Sequence, residues 1–419
     1  MRKPKPSLTR IDLKGIMENL GYSIRHNQIT NDCEIKGLAD YEENAYELLP
    51  ILLYDIIKDQ YKYASKSNIV DYLYVITQDN RYNPVLDLIK AKKWDGEKRF
   101  PDIYKALCID EKDELSKTLI RKWFMQGAAL LENKSIKPFG ADGVLVLIGP
   151  QGVGKTSFFG YAALPEHLTP SDYFLENGKL NDWDKDEERR VVTSWISELG
   201  EIEGTFKKSD SSNLKGFITK SFDRYRLPYD RKDKKVPRRT NICGTANDRT
   251  NDAWYLVDDT GSRRFWTVPI IDINLDAVKK IDFLEVWREA YYLLKNDLQN
   301  FRLTKEELKE LIKRNAKHTK PTKGVAEVED ILTDAIDNYV EENWEFQSVT
   351  TWKQKYDALK NIDTVTIGRA IATVLQNNPG YDEKATIRDE NNTPKKTRKL
   401  PNPQPKENHH VQPRSNTNS

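Results

Sequence analysis

The sequence has little cysteine and little histidine, the residues from which disulfide frameworks and zinc sites are built. Its three cysteines, Cys33, Cys108 and Cys243, lie far apart and form no pair motif. The five histidines include no set at metal-ligand spacing. We therefore expect neither disulfides nor zinc to stabilise this protein.

Long hydrophobic runs are also absent. No apolar stretch approaches the roughly 20 residues that cross a bilayer, and residues 1–6 contain no apolar signal core. The formal net charge is only +2, so the overall charge indicates no partner and any nucleic-acid signal must come from local clusters. These features predict a cytoplasmic, reduced protein that does not associate with membranes.

One glycine-rich stretch lies between a strand pattern and a helix pattern. Residues 144–148 are an apolar run typical of a buried parallel strand, and a helix-compatible segment follows. The intervening pattern is that of a phosphate-binding loop, and its candidate nucleotide-binding residues are Gly149, Pro150, Gln151, Gly152, Val153, Gly154, Lys155, Thr156 and Ser157. In such a loop the backbone amides cradle a triphosphate, Lys155 reaches the β and γ phosphates, and Thr156 holds Mg²⁺. The expected cofactors are ATP and Mg²⁺.

Two acids follow the next strand pattern, at residues 191–196. Mg²⁺-dependent hydrolysis requires a carboxylate at the exit of a strand beside the phosphate loop, because it holds the metal's water shell while another acid orients the attacking water. We assign Glu198 to the metal and Glu201 to the water. The alternative is that both are solvated acids after a strand.

Two further motifs offer polar groups for phosphate chemistry. A short strand pattern at residues 240–245 ends near Asn247, whose amide is suited to hydrogen-bond both the γ-phosphate and the attacking water. A turn before the apolar residues 265–268 presents Arg263 and Arg264 as candidates for an arginine finger, which offsets charge on the transferred phosphoryl group. A structural salt bridge is the alternative role for this pair.

Residues 207–239 are the most basic stretch, and aromatic residues lie among the cations. This mixture suits a single strand of nucleic acid, because cations neutralise phosphates while bases stack on the rings. A solvated charged face is the alternative. The candidate DNA-binding residues are Lys215, Lys220, Arg224, Arg226, Arg231, Lys232, Lys234, Lys235, Arg238 and Arg239.

Together these motifs resemble the virulence-associated protein E family, which is encoded largely by phages and mobile elements and is similar to the superfamily 3 helicases of the AAA+ NTPases. The stretches that carry the resemblance are residues 149–156, 197–201, 214–229, 244–247 and 261–266.

The resemblance implies a role for each motif. Lys155 and Thr156 correspond to Walker A residues, Glu198 to the Walker B acid and Asn247 to the polar sensor. One of Arg263 and Arg264 corresponds to the finger, and residues 215–239 to a pore-facing DNA hairpin. Walker B motifs of superfamily 3 usually end in adjacent acids, whereas Glu198 and Glu201 are separated, so which of them orients the water stays open.

We expect an α/β fold, with a P-loop NTPase core of the AAA+, superfamily 3 helicase-like type at residues 136–275. A helical N-terminal domain precedes it at residues 1–135. The remaining parts are a helical extension at 276–315, a linker at 316–326, a winged-helix-like domain at 327–400 and a disordered tail at 401–419. The third helix of the winged-helix-like domain is the candidate DNA reader, with generic three-helix packing as the alternative.

The resemblance implies an ATP-dependent DNA helicase or translocase for the replication of a phage or mobile element. Its expected partners are single-stranded or forked DNA and further copies of itself, in a hexameric ring. One alternative is a DNA-binding replication initiator or regulator that uses ATP as a switch, which would not displace a paired strand. Another is a small-molecule phosphotransferase, against which the long basic stretch argues.

Overall fold

The structure is a computed structural model, and the residues it describes are 6–38, 45–62, 64–180, 185–200, 214, 216–225, 234–247, 262–294, 297–316, 318, 325–338, 341–388 and 394–403. The chain divides into two compact units, residues 1–319 and 320–419. This division falls inside the linker that the sequence predicts.

The N-terminal part combines three helices with a small sheet. Its elements are α1 (Arg10–Asn19), β1 (Ser23–Asn27), β2 (Cys33–Lys36), α2 (Ala45–Ile57), α3 (Lys66–Asp79) and β3 (Arg81–Tyr82). Strand β1 lies between β2, to which it is antiparallel, and β3, to which it is parallel. Leu13, Leu49 and Ile69 are fully buried in a hydrophobic cluster of this part alone. The prediction of a helical domain missed this sheet, because strands so short and polar show no clear alternation.

Helix α6 (Glu114–Leu131) is the buried centre of the next layer. It is preceded by α4 (Pro84–Lys90) and α5 (Phe100–Ala106). The fully buried Trp123 donates its indole N–H to the carbonyl of Ile242 at 2.9 Å. Gln126, also fully buried, donates to the carbonyl of Gly143 at 2.9 Å. Because α6 shares one hydrophobic cluster with the central sheet, the boundary predicted at residue 135 does not separate two cores.

A five-stranded sheet forms the middle of the first unit. Its strands are β4 (Val144–Gly149), β5 (Phe174–Leu175), β6 (Ile196–Leu199), β9 (Asn241–Asn247) and β10 (Phe265–Pro269). The strand order is β10-β4-β9-β6-β5, and all neighbours are parallel. The helices of this part are α7 (Lys155–Ala162), α8 (Pro170–Tyr173), α9 (Lys185–Val192), α10 (Leu275–Val278), α11 (Phe283–Leu294) and α12 (Lys305–Ala316). The unbroken apolar run of β4 is explained by its complete burial.

The strand that carries Glu198 begins later than predicted. Val191 and Val192 end helix α9, and β6 starts at Ile196, so Glu198 lies within the strand and not after it. Helix α9 is amphipathic: the residues before Val191 are charged, and the two valines form its buried apolar face. Burial of that helical face outweighs the β-propensity of the valines.

Part of the basic stretch forms a two-stranded antiparallel hairpin. Its strands are β7 (Phe222–Tyr225) and β8 (Lys234–Pro237). At its base Arg238 is completely buried and donates its Nε–H to Asp223 at 2.7 Å. The Arg238 guanidinium also lies over the ring of Phe217, 4.5 Å from the ring centroid. The base of the hairpin is therefore held by a charge pair enclosed in apolar surroundings.

The second unit has three longer helices and a three-stranded antiparallel sheet. Its elements are α13 (Val325–Asp337), β11 (Trp344–Gln347), α14 (Val349–Lys355), α15 (Thr364–Asn377), β12 (Lys384–Arg388) and β13 (Pro394–Pro401). The sheet order is β11-β13-β12. Trp352, Ile367 and Leu400 are fully buried in its core. The sequence indicates two short strands around residues 384–388 and 395–400, and these are β12 and β13. It does not indicate β11.

In the parts of the chain that the structure describes, no helix has both the length and the apolar character that a bilayer crossing needs.

Removing Asp223 tests the buried charge pair of the hairpin. We expect Asp223→Ala to lower the free energy of unfolding by about 3–5 kcal/mol, because it leaves the Arg238 charge buried without its partner. Denaturant unfolding measures this change, and the exposed acid Asp276, which pairs with Lys279, supplies the control variant Asp276→Ala with little change expected. An Asp223→Ala protein as stable as the wild type would contradict the interpretation.

Candidate nucleotide-binding site

Three neighbouring strands of the central sheet end at the same edge. Strand β9 lies between β4 and β6, and its register sets Asn247 beside Gly149 and Cys243 beside Glu198. Because parallel strands place their carboxyl ends together, residues from three distant parts of the sequence meet here. This edge is where the sequence-predicted nucleotide site lies.

The loop after β4 has the backbone conformation that its glycines permit. Gly152 and Gly154 have φ angles of 82° and 94°, in the left-handed region that other residues resist. Gly154 immediately precedes helix α7, whose N-terminus therefore follows the loop directly. The free N–H groups and the dipole of this helix end are suited to bind an anion.

Lys155 is the first residue of helix α7, and its side chain reaches back to the loop. Its side chain is buried, and its ammonium group donates to the carbonyls of Gly149 at 2.9 Å and Pro150 at 2.6 Å. It also contacts Oδ1 of Asn247 at 3.4 Å. The structure therefore brings together the predicted phosphate-binding lysine and the predicted polar sensor.

Glu198 is completely buried, and three groups donate hydrogen bonds to its carboxylate. They are the Thr245 hydroxyl at 2.7 Å, the Asn177 backbone N–H at 2.9 Å and the Thr156 hydroxyl at 3.4 Å. These donors compensate the loss of water around a charged carboxylate. Burial, with the nearby charge of Glu198, raises the pKa of the Cys243 thiol well above its usual value, so this cysteine stays protonated.

The oxygen groups of Thr156 and Glu198 fit the requirements of Mg²⁺. This ion prefers hard oxygen ligands and usually takes only one or two from the protein, with waters and substrate phosphates completing its octahedron. The 3.4 Å between the two side-chain oxygens lets both face one small ion after a slight adjustment. Glu201, the candidate for orienting the water, lies outside the described residues.

The structure does not bring Arg263 and Arg264 to this loop. They lie in a short 3-10 helix before β10, whose first residue, Phe265, stands beside Val144 at the start of β4. The loop follows the other end of β4, roughly 15 Å away along the strand. Arg263 is exposed and Arg264 half-buried, and burial together with the like charge of Arg263 lowers the pKa of Arg264.

The backbone around the arginine pair is held by Asn315. This buried side chain donates to the carbonyls of Ser262 at 2.8 Å and Phe265 at 2.9 Å, on either side of the pair. Its Oδ1 accepts from the Thr267 hydroxyl at 2.5 Å. Asn315 thus fixes the direction in which the arginines leave the sheet.

The candidate DNA-binding residues fall into four groups. Outside the described residues lie Lys215, Arg226, Arg231 and Lys232. Arg224 and Lys235 are exposed and stand opposite each other on the hairpin; Lys220 is exposed and pairs with Glu188 at 2.8 Å. Lys234, at the loop end of the hairpin, and Arg239, just beyond its base, are half-buried. Arg238 is a correction: it is completely buried against Asp223, so it is not available to a DNA phosphate.

Sequence reasoning missed three residues of these sites. Thr245 and Asn177 hold the Glu198 carboxylate, and Asn315 holds the arginine-bearing turn. Thr245 lies two residues before Asn247 in the same strand, a spacing that puts both on one face, and this was a usable signal. Asn177 and Asn315 reach their targets only through the tertiary fold.

The fold and the site define a mixed α/β protein that has a five-stranded parallel sheet and a glycine loop at the carboxyl edge of that sheet. The chain belongs to the family of virulence-associated protein E-like domains, whose model matches residues 88–320, more than half of the sequence. The family resemblance inferred from the motifs is therefore confirmed. No curated protein matches the chain.

Two solved structures are similar over most of the chain. The apo structure of the NrS-1 C-terminal region (305–718) has 14% sequence identity and a TM-score of 0.47, covering 94% of this chain and 99% of that one. The A form of the apo NrS-1 C-terminal region has 13% identity and a TM-score of 0.44, covering 94% of this chain and 100% of that one.

Thr245→Val tests how Glu198 is held. We expect this nearly isosteric change to lower the free energy of unfolding by about 1–3 kcal/mol, because a buried carboxylate loses its shortest hydrogen bond. We also expect weaker Mg²⁺-dependent nucleotide binding, measured by titration calorimetry with and without Mg²⁺. Thr193→Val is the control, since that hydroxyl donates only to carbonyls of helix α9; equal effects of both variants would contradict the role of Thr245.

Proposed function

We propose that the protein is a Mg²⁺-dependent ATPase of the AAA+, superfamily 3 helicase-like type, and that hydrolysis drives its movement along single-stranded DNA. Its biological role would be that of a replicative helicase of a phage or mobile element. The observation that carries the proposal is the meeting of Lys155, Thr156, Glu198 and Asn247 at one edge of the parallel sheet. Family membership and the basic hairpin support it.

Each side chain at this edge has a task in hydrolysis. When a nucleotide enters, the Lys155 ammonium exchanges loop carbonyls for phosphate oxygens, which bind it more strongly because they are charged. Thr156 and Glu198 would hold Mg²⁺, which neutralises charge on the phosphates. Asn247, in contact with Lys155 at 3.4 Å, is placed to hydrogen-bond the terminal phosphate, and it does so as a neutral group.

The position of the arginine pair supports action between subunits. Arg263 and Arg264 stand about 15 Å from their own loop, beyond the reach of an arginine side chain to a phosphate there. The exposed Arg263 is free to point at a neighbour's loop, whereas Arg264 is half-buried. A finger that acts in trans requires an oligomer, and the family resemblance favours a hexameric ring.

The hairpin supports contact with a DNA strand. Arg224 and Lys235 stand directly opposite each other, an arrangement that destabilises an antiparallel pair when nothing offsets the like charges. Lys235 lies over one face of the Phe222 ring, 4.0 Å from its centroid, so a cation and an aromatic ring occupy the same place on the hairpin. This combination suits phosphates and stacked bases of a single strand.

The second unit is proposed as a winged-helix-like DNA-binding domain. Its order of helix, strand, two helices and two strands is compatible with that fold, in which α15 would be the reading helix. Val365 and Arg369 of α15 are exposed, and under this proposal they are the candidates for contact with a groove.

Strand displacement with a forked DNA substrate tests the activity directly. ATP-dependent displacement supports the helicase. Hydrolysis stimulated by DNA without displacement would instead support an ATP-driven switch in replication initiation, and hydrolysis indifferent to DNA would revive a small-molecule phosphotransferase.

Mixed oligomers test the finger in trans. We expect Lys155→Ala and Arg263→Ala each to abolish most ATP turnover, the first because the phosphate site is lost and the second because charge on the transferred group is not offset. Mixing the two should restore part of the activity, since an Arg263→Ala site then receives the finger of a Lys155→Ala neighbour. Lys309→Ala, an exposed change on α12, is the control. No recovery at any mixing ratio would exclude this geometry.

Neutralising the hairpin pair tests the DNA path. We expect the double variant Arg224→Gln, Lys235→Gln to bind single-stranded oligonucleotides more weakly, with the slope of log affinity against log salt reduced by about 1.4, the value for two phosphate contacts. Fluorescence anisotropy across a salt series measures this. Basal hydrolysis and folding should not change, and Lys305→Gln with Lys309→Gln on helix α12 is the matched control. An unchanged slope would remove the hairpin from the path.

A further inference from the structure

Several polar groups are buried without partners where the N-terminal sheet meets the hairpin. His26 is only 8% exposed and its Nδ1 makes no hydrogen bond; Tyr225 is only 7% exposed and the same is true of its hydroxyl. The Nε of Arg239 is likewise buried without a partner, although its Nη2 donates to the carbonyl of Asn133 at 3.2 Å. Each such atom costs about 1–3 kcal/mol, so their coincidence at one place requires an explanation.

Strand registers and local contacts place these groups together. Arg81 stands beside His26 in the parallel pair of β3 and β1, and Lys234 stands opposite Tyr225 in the hairpin. The side chain of Asn31 lies beside both His26 and Tyr225, and so links the two elements.

Apart from Asp223, which is paired with Arg238, the described charges that act on these side chains are positive. Burial, with the cations Arg81, Lys234 and Arg239, lowers the pKa of His26 to about 4. Burial, with the charge of Arg81, also lowers the pKa of Arg239 to about 10. A water molecule would satisfy the unpartnered polar atoms, but it would not offset the repulsion between cations in a poorly hydrated place. An anion would satisfy these atoms and also offset the repulsion.

We infer that Arg81, Arg239, His26 and Tyr225 form a site for one phosphodiester group of a DNA strand that passes along the hairpin. Tyr225 and Arg239 donate through the unpartnered hydroxyl and Nε–H, which suit the non-bridging oxygens of a phosphate. Arg81 is exposed, so the site opens to solvent on its side, while His26 and Tyr225 lie deeper. The site deepens the proposed function and rests on it, because it adds a contact from the N-terminal sheet to the DNA path.

The first arm of the test uses the full-length protein and fluorescent oligothymidine. Arg81→Gln should weaken binding about ten-fold and reduce the salt slope by about 0.7, the value for one phosphate on a single strand. Lys36→Gln, the same change on an exposed residue at the other end of the sheet, should leave both unchanged. If Arg81→Gln and the wild type have equal slopes of log affinity against log salt, the proposed phosphate site is wrong.

The second arm separates a ligand site from a structural role. Tyr225→Phe removes a hydroxyl that has no partner in the fold, so the thermal unfolding midpoint of the DNA-free protein should stay or rise while affinity for oligothymidine falls. A lower midpoint with unchanged affinity means that the hydroxyl is structural, which overturns the proposal.

The third arm identifies the source of the phosphate. Inorganic phosphate should stabilise wild type only weakly against heating, and oligothymidine should stabilise it strongly, with both effects reduced in Arg81→Gln. Strong stabilisation by inorganic phosphate or ATP that Arg81→Gln abolishes, with oligothymidine affinity intact, would overturn the phosphodiester assignment. If the wild type displaces a paired strand but Arg81→Gln has the same salt slope as the wild type, the helicase proposal stands and this phosphate site is excluded. If Arg81→Gln has a reduced salt slope but the wild type displaces no strand, this phosphate site stands and the helicase proposal is excluded.

Discussion

The candidate site depends on the parallel pairing of β4, β9 and β6. Because the three strands run in one direction, Gly149, Asn247 and Glu198 arrive at one edge of the sheet although the sequence separates them widely. The insertion of β9 between the other two strands sets the spacing, so that Asn247 reaches Lys155 while Glu198 reaches Thr156. A change in strand order would leave every motif intact and still dismantle the site.

The buried charged groups of the molecule differ in whether the fold itself supplies their partners. Glu198 accepts three hydrogen bonds, and Arg238 pairs with Asp223 inside the hairpin base. Both charges are matched within the fold, although Nη1 of Arg238 has no hydrogen-bond partner. Arg239 instead lies beside the cation Arg81, and its Nε and the Nδ1 of His26 are buried without partners. Since such atoms destabilise the folded state, they are most simply understood as groups that a ligand completes.

The glycine loop and the arginine pair, which the proposed hydrolysis would need together, lie at opposite ends of the parallel strands. The loop lies at the carboxyl edge, and the arginine pair lies at the start of β10, anchored by Asn315. The length of β4 separates the loop from the arginine pair. Because this strand is fully buried in the sheet, the separation within one chain is fixed. Assembly of subunits side by side is the arrangement that would bring the loop and the arginine pair together, and it would couple each nucleotide to its neighbour.

The conformation of the glycine-rich loop could be predicted from sequence alone, because glycine, lysine and threonine at fixed spacing specify a local backbone conformation that needs little support from the rest of the chain. The C-terminal pair of strands and the family were also recognisable from short-range patterns. The small N-terminal sheet was not, since strands of two to five polar residues leave no clear alternation.

Tertiary structure alone decided which charged residues are accessible and which partners they meet. Arg238 and Arg239 are adjacent in a basic run, yet Arg238 is enclosed with an acid and Arg239 lies beside the cation Arg81. Thr245, Asn177 and Asn315 became important only because folding brought them to a carboxylate or to a turn. Burial and long-range contact determine these roles, and neither is encoded in the spacing of neighbouring residues.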